Sequence, residues 1–81
     1  MKAKIYITLK KSVLDPQGQA IEHSLHNIGF TEISKVRQGK LIELQLETTL
    51  QSEAEQQVQQ ICDKLLVNKV IEDYKFELLP A

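Results

Sequence analysis

Residues 31–46 read TEISKVRQGKLIELQL, and the number of strands in the fold turns on them. In their second half Ile42, Leu44 and Leu46 alternate with Glu43, Gln45 and Glu47, the two-residue period of a strand with one dry face. Gln38-Gly39 ahead of them is a turn signal. The first half is less regular. Ile33 and Val36 fall on opposite parities, so a strand over 31–38 carries a bulge or stays short. Together the two halves predict a hairpin.

Upstream, Ala3, Ile5, Ile7 and Leu9 alternate with Lys4, Tyr6, Thr8 and Lys10, which predicts a half-buried strand over 2–10. Ile21, Leu25 and Ile28 then recur at helical spacing, and Gly29 stands where a left-handed C-terminal cap belongs. Downstream, Ser52 with Glu55 three residues on forms a capping box for a second helix. Ala54, Val58, Ile61 and Leu65 make its apolar stripe, spanning about 60° at 100° per residue. Val70, Tyr74, Phe76 and Leu78 share one parity before Pro80 and predict a closing strand.

The order is strand, helix, strand, strand, helix, strand. With connections this short it closes as an α+β, ferredoxin-like βαββαβ sandwich: a four-stranded antiparallel sheet with both helices on one face. The other face is expected to show Lys4, Tyr6, Thr8, Glu43, Gln45, Glu47, Asp73, Lys75 and Glu77, neither apolar nor of one sign. A single domain over 1–81 accounts for the whole pattern.

At 81 residues the chain buries little more than half of its unfolded surface, which favours an oligomer or a subunit of a complex. Ten Lys or Arg stand against eleven Asp or Glu, so there is no basic field for nucleic acid or anionic lipid. Of the expected open face only Tyr6 could stack on a base, and Glu43 and Glu47 would repel phosphate, so RNA is set aside. The one cysteine, Cys62, makes neither an intrachain disulfide nor a metal framework, consistent with a reducing cytoplasm. Neither a signal peptide nor a membrane span is read from the sequence.

The motif richest in structural demands is Asp15-Pro16-Gln17-Gly18. Ser12 competes as the helix cap, but that choice pushes Pro16 into the helix and Asp15 into a conformation that a residue before proline avoids. Asp15 is the better cap, with Pro16 at the first helical position. A capping carboxylate fills the orphan amides and repels a second anion, which argues against a phosphate loop. Gly18 costs about 1 kcal/mol inside a helix relative to alanine, so it implies close approach by another backbone or a partner. His23 and His26 face water without a third ligand, and Cys62 packs at the border of an apolar stripe. Arg37 and Lys40 bracket the expected hairpin turn. No Ser-His-Asp, Cys-His, paired-acid or Walker pattern occurs, so a catalytic site made by this chain alone is not expected.

KKSVLDPQGQAIEHSLHNIGF with KVRQGKLIEL resembles the PurS family, the small subunits of phosphoribosylformylglycinamidine (FGAM) synthase, and ICDKLLVNKVIEDYKFEL resembles that family's C-terminal half. The likeness covers nearly the whole chain. Lys69 departs from it, standing where the family is expected to show proline. The resemblance implies a non-catalytic adaptor in de novo purine biosynthesis, joining a glutaminase to a large synthetase so that ammonia reaches formylglycinamide ribonucleotide. It implies no cofactor on this chain, ATP and Mg in the complex, and a homodimer or higher homo-oligomer.

Asp15, Gln17, Gly18, Arg37, Gly39 and Lys40 are the expected partner contacts, with Asp15 and Gly18 open to a purely conformational role. Tyr6, Lys4, Glu43, Lys75 and Glu77 are the expected oligomer interface, through edge strands or open faces. The competing reading is a regulatory module of the same topology that holds a small metabolite between subunits.

Overall fold

A computed structural model describes residues 1–80. Its elements are β1 (Lys2–Leu9), α1 (Pro16–Asn27), β2 (Gly39–Gln45), α2 (Gln51–Ile61), a π-helical turn (Cys62–Leu66) and β3 (Glu72–Leu79). The sheet is antiparallel, in the order β2-β1-β3. Ile5 at its centre pairs with Ile42 on one side and Phe76 on the other. The buried core joins Ala3, Ile5 and Ile7 of β1 to Val58 of α2 and to Cys62 and Val67 that follow.

The expected fourth strand is not there. Four features of 31–38 take its place. Lys35 adopts φ +56°, in the left-handed region, which breaks an extended run. The carboxylate of Glu22 accepts from the Val36 amide at 3.1 Å, and His26 Nε2 donates to the Ile33 carbonyl at 2.6 Å. The Gln38 amide donates to Asp15 Oδ2 at 2.8 Å. Backbone groups that a strand would offer to a ladder are thus satisfied by side chains of α1 and its cap. Gly39 accordingly begins β2 instead of turning a hairpin.

The placement of α1 also corrects the sandwich. α2 lies over the β3 side of the sheet, whereas α1 and the returning 28–38 segment form an arm that extends away from it. The chain measures 48 × 27 × 14 Å as a result. The strands present keep the ferredoxin-like order, and only the edge strand and the first helix are displaced.

Local details of α1 follow the sequence closely. Asp15 is the N-cap, with Oδ1 accepting from the Gly18 amide at 3.0 Å, and Pro16 opens the helix. Gly29 at φ +106° ends it. The Phe30 amide reaches the Leu25 carbonyl at 2.9 Å and the Gly29 amide that of His26 at 3.1 Å, the double closure of a Schellman motif.

α2 departs more. It begins at Gln51 without a side-chain cap from Leu50, so Ser52 caps nothing; Thr48 Oγ1 instead bonds the Leu50 amide and Glu53. The π-helical turn, closed by the Val67 amide on the Cys62 carbonyl at 3.1 Å, adds a residue to the helical period. Cys62, in line with Ala54 and Val58 at four-residue spacing, is fully buried rather than at the border of the stripe, and within the π-helical turn Leu65 is turned out to 80% exposure. Val70 lies in the turn before β3 and is exposed, not inward-facing. That turn is held by the Val70 amide on Asn68 Oδ1, by the Ile71 and Glu72 amides on the Asn68 carbonyl, and by the Asn68 amide on Glu72 Oε1. Lys69 pairs with Asp63 at 2.7 Å.

Candidate partner-contact site

The two motifs singled out in sequence, DPQG and VRQGK, meet at the root of the arm. Asp15 is 4% exposed, and its carboxylate ties the first turn of α1 to Gln38, 23 residues away. A Cβ placed on Gly18 would lie 2.3 Å from the Val36 carbonyl oxygen and 3.1 Å from Arg37 Cα. Gly18 is therefore required by the approach of this chain's own backbone. Arg37 donates to the carbonyls of Lys10 and Val13 at 2.9 Å each and to that of Leu9 at 3.4 Å. A single terminal nitrogen of its guanidinium, Nη2, thus gathers the end of β1 and the loop before α1.

Beside this root is an open notch of about 270 Å³, lined by Asp15, Gln17, Gln38, Gly39, Lys40 and Glu72 among others. Gln17 and Lys40 are solvent-exposed at its rim. Lys40 Nζ reaches Glu72 at 3.3 Å, and the Glu72 carboxyl is held below its ordinary range by the Asn68 amide first and by Lys40. Glu72 is not singled out by the sequence; its only signal is its place within the segment ICDKLLVNKVIEDYKFEL, and pairing with a lysine 32 residues away is not legible from spacing.

The open sheet face carries the other expected group. Tyr6 donates to Glu77 Oε1 at 2.6 Å, and Lys75 sits over the Tyr6 ring with its nitrogen 5.8 Å from the centroid. Glu43 pairs with Lys2 at 3.1 Å and lies 4.0 Å from Lys4. All five expected interface residues thus share one face, where several already pair within the chain. Leu41, half exposed beside Tyr6, adds an apolar spot that the parity reading did not assign to this face, whereas Glu47 lies beyond the end of β2. Among the described residues no three His, Cys, Asp or Glu side chains gather as a metal would require. His26 is engaged by Ile33, and burial pushes the Cys62 thiol up, away from a reactive thiolate.

The Asp15 carboxyl is held below its ordinary range, first by the Gln38 amide, then by the Gly18 amide, with the Arg37 charge adding to them. The unfolded chain takes up this proton more readily, so the contribution to stability is complete above the ordinary carboxylate range and is lost as pH falls through the folded value. In urea titrations the advantage of the native chain over Asp15→Asn is expected to shrink below about pH 4. An advantage unchanged from about pH 7 to about pH 3 would remove Asp15 from the acid response.

A three-stranded sheet with one open face, an arm locked at its root and a polar notch beside it define a small α+β module whose open face and notch are unoccupied by its own helices. A family model described as PurS, phosphoribosylformylglycinamidine (FGAM) synthase, matches residues 2–80. The chain belongs to the PurS family. It is 47% identical to the PurS subunit of FGAM synthase of Bacillus subtilis over 95% of this chain and 90% of that one. It superposes on a solved structure of B. subtilis PurS with a TM-score of 0.81, covering 94% of each chain. A chain of the structure named PurLQS from Thermotoga maritima is 35% identical, with a TM-score of 0.87 over 96% of this chain and 95% of that one. These likenesses run through the arm as well as the sheet. They name a synthase subunit and do not favour the metabolite-binding regulatory module.

Proposed function

We propose that this chain is the adaptor of FGAM synthase, holding a glutaminase subunit and an ATP-dependent synthetase subunit together during de novo purine biosynthesis. The observation that carries the reading is the likeness to a chain of the T. maritima PurLQS structure over 96% of this chain. The chemistry explains why such a subunit is useful. Ammonia released in open water near neutral pH becomes ammonium and is no longer a nucleophile, so the two active sites gain from being fixed close together and screened from solvent.

In this reading ATP and Mg belong to the synthetase, the assembly works in the cytoplasm, and the adaptor itself is a homodimer or higher homo-oligomer. Gln17 and Lys40, at the rim of the notch, contact a partner. Asp15, Gly18 and Arg37 hold the notch in shape, with Gly39 in its wall. The open face with Lys4, Tyr6, Glu43, Lys75 and Glu77 is a further contact surface between copies.

Reconstitution of the three subunits tests the proposal. Amidine formation from glutamine is expected to fall at least tenfold when this chain is omitted, while formation from an ammonium salt continues. Equal glutamine-dependent rates with and without it would sink the adaptor role. Replacing Gln17 and Lys40 together by alanine is expected to weaken assembly without unfolding the chain; unchanged assembly would make the rim a solvated surface.

A further inference from the structure

The notch has a neighbour at the end of the sheet where β1 finishes and β2 and β3 begin. A second open cleft there, of about 420 Å³, is lined by Lys10, Lys69, Glu72, Asp73 and Tyr74. Glu72, whose side chain is 10% exposed, is common to both. Val70 stands in the chain between Lys69, which lines the cleft, and Ile71, which lines the notch, and is 82% exposed.

The turn that carries Val70 is fixed. Asn68 bonds it four times: its amide donates to Glu72 Oε1, its Oδ1 accepts from the Val70 amide, and its carbonyl accepts from the amides of Ile71 and Glu72. The Ile71 carbonyl accepts from the Lys10 amide at 2.8 Å, and Lys69 is held on Asp63. A lone exposed valine needs no explanation, but one set on a fully bonded turn between two clefts is a pre-organised apolar anchor. Leu14, on the loop that leaves β1 at the same end, is 63% exposed and adds a second apolar side chain.

Charge at this end is uneven. The side chains of Lys10, Lys11, Lys40 and Lys69 reach solvent, whereas of the acids only Asp63 and Asp73 do so freely, Asp15 and Glu72 being almost buried. The surface here is positive although the chain as a whole carries a net charge of -1. Lys10, Lys40 and Lys69 each pair with one carboxylate of this chain, and an ammonium has three donors, so each retains capacity for an incoming acid.

We infer that this end docks an acidic, apolar-anchored segment of one of the two enzyme subunits, laid across Val70 with side chains entering both clefts. The inference rests on the adaptor reading and names the surface and the chemistry by which the adaptor holds its partner. A small metabolite fits poorly, because its site is a single concavity that encloses it, whereas this surface runs cleft, knob, cleft and is open throughout. A second copy related by a two-fold axis would set like charge against like. An acidic segment meets the lysines, and Val70 supplies the desolvated centre that such contacts need.

Titration calorimetry of the full chain against each enzyme subunit, and against the two together, tests the inference. Val70→Asp, at an exposed position, is expected to raise the dissociation constant for one subunit about tenfold or more, with the melting curve and sedimentation of the chain unchanged. Affinity of the native chain is expected to fall between about 0.05 and 0.5 M NaCl, and Lys11→Gln with Lys40→Gln to weaken the same complex and flatten that dependence.

Both variants binding both subunits as the native chain does would overturn this docking surface, and native support of glutamine-dependent synthesis would leave the adaptor reading standing. A native chain that binds neither subunit, singly or together, overturns both. Loss of self-association in place of subunit binding assigns this end to a contact between copies and also overturns the inference. Should Val70→Asp shift the melting curve, Val70→Ser decides in its stead.

Discussion

Gly18→Ala is expected to lower the melting temperature by roughly 10 °C or more, although alanine is the better helix former by about 1 kcal/mol. The new methyl would lie 2.3 Å from the Val36 carbonyl oxygen and 3.0 Å from Asp15 Oδ2. Neither neighbour can retreat. Val36 is fixed through its own amide on Glu22, and the Asp15 carboxylate is held by the Gly18 and Gln38 amides. Overpacking against groups that cannot yield costs about 1–3 kcal/mol or more, beyond the propensity gained, and for a domain of this size each kcal/mol moves the midpoint by about 4–8 °C. Thermal unfolding by circular dichroism reads the effect directly. A melting temperature that rises would mean that the first turn of α1 does not abut 36–37. The arm would then be free to fold onto its own sheet.

Ile5→Ala is expected to cost about 3 kcal/mol in urea unfolding with an unchanged denaturant slope. Ile5 is fully buried on the central strand, flanked by Ile42 and Phe76 on the neighbouring strands. No flexible neighbour can fill the space: the core side chains around it, Ile7, Val58 and Cys62, are themselves fully or almost fully buried. A stability of about 4–12 kcal/mol for a chain this long means that one truncation removes a large share of it. A loss under about 1 kcal/mol would show that the centre of the sheet is not the close-packed part of the molecule.

The two substitutions probe different kinds of information. Ile5 was legible as core from parity alone, because alternation along a strand is a local pattern. Gly18 was legible as a point of close approach, since an uncompensated glycine in a helix asks for a reason, but the sequence left open whether the approaching backbone was a partner's or the chain's own. The notch was partly legible. DPQG and VRQGK each stood out, while their convergence with Glu72 and the employment of Arg37 on three carbonyls depend on residues far apart in the chain. Membership in the PurS family rests on the combination of these segments over nearly the whole length, and the comparisons bear it out.

What the sequence by itself determined was a set of local features: the phase of three strands, Asp15 as cap, Gly29 as helix stop, and the polar character of the open face. Tertiary structure decided the rest. Residues 31–38 could have laddered against β2, but Glu22, His26 and Asp15 take up their backbone groups, and a side-chain bond formed across a turn is invisible to periodicity. The π-helical turn likewise put Leu65 outward, because one added residue in the helical period re-phases the side chains beyond its start. The arm stands away from its own sheet although α1 has the stripe of a core helix, because its direction is set by contacts at the root between Gly18 and Val36, Asp15 and Gln38, and Arg37 and the loop before the helix, all made between residues far apart in the chain or across a turn.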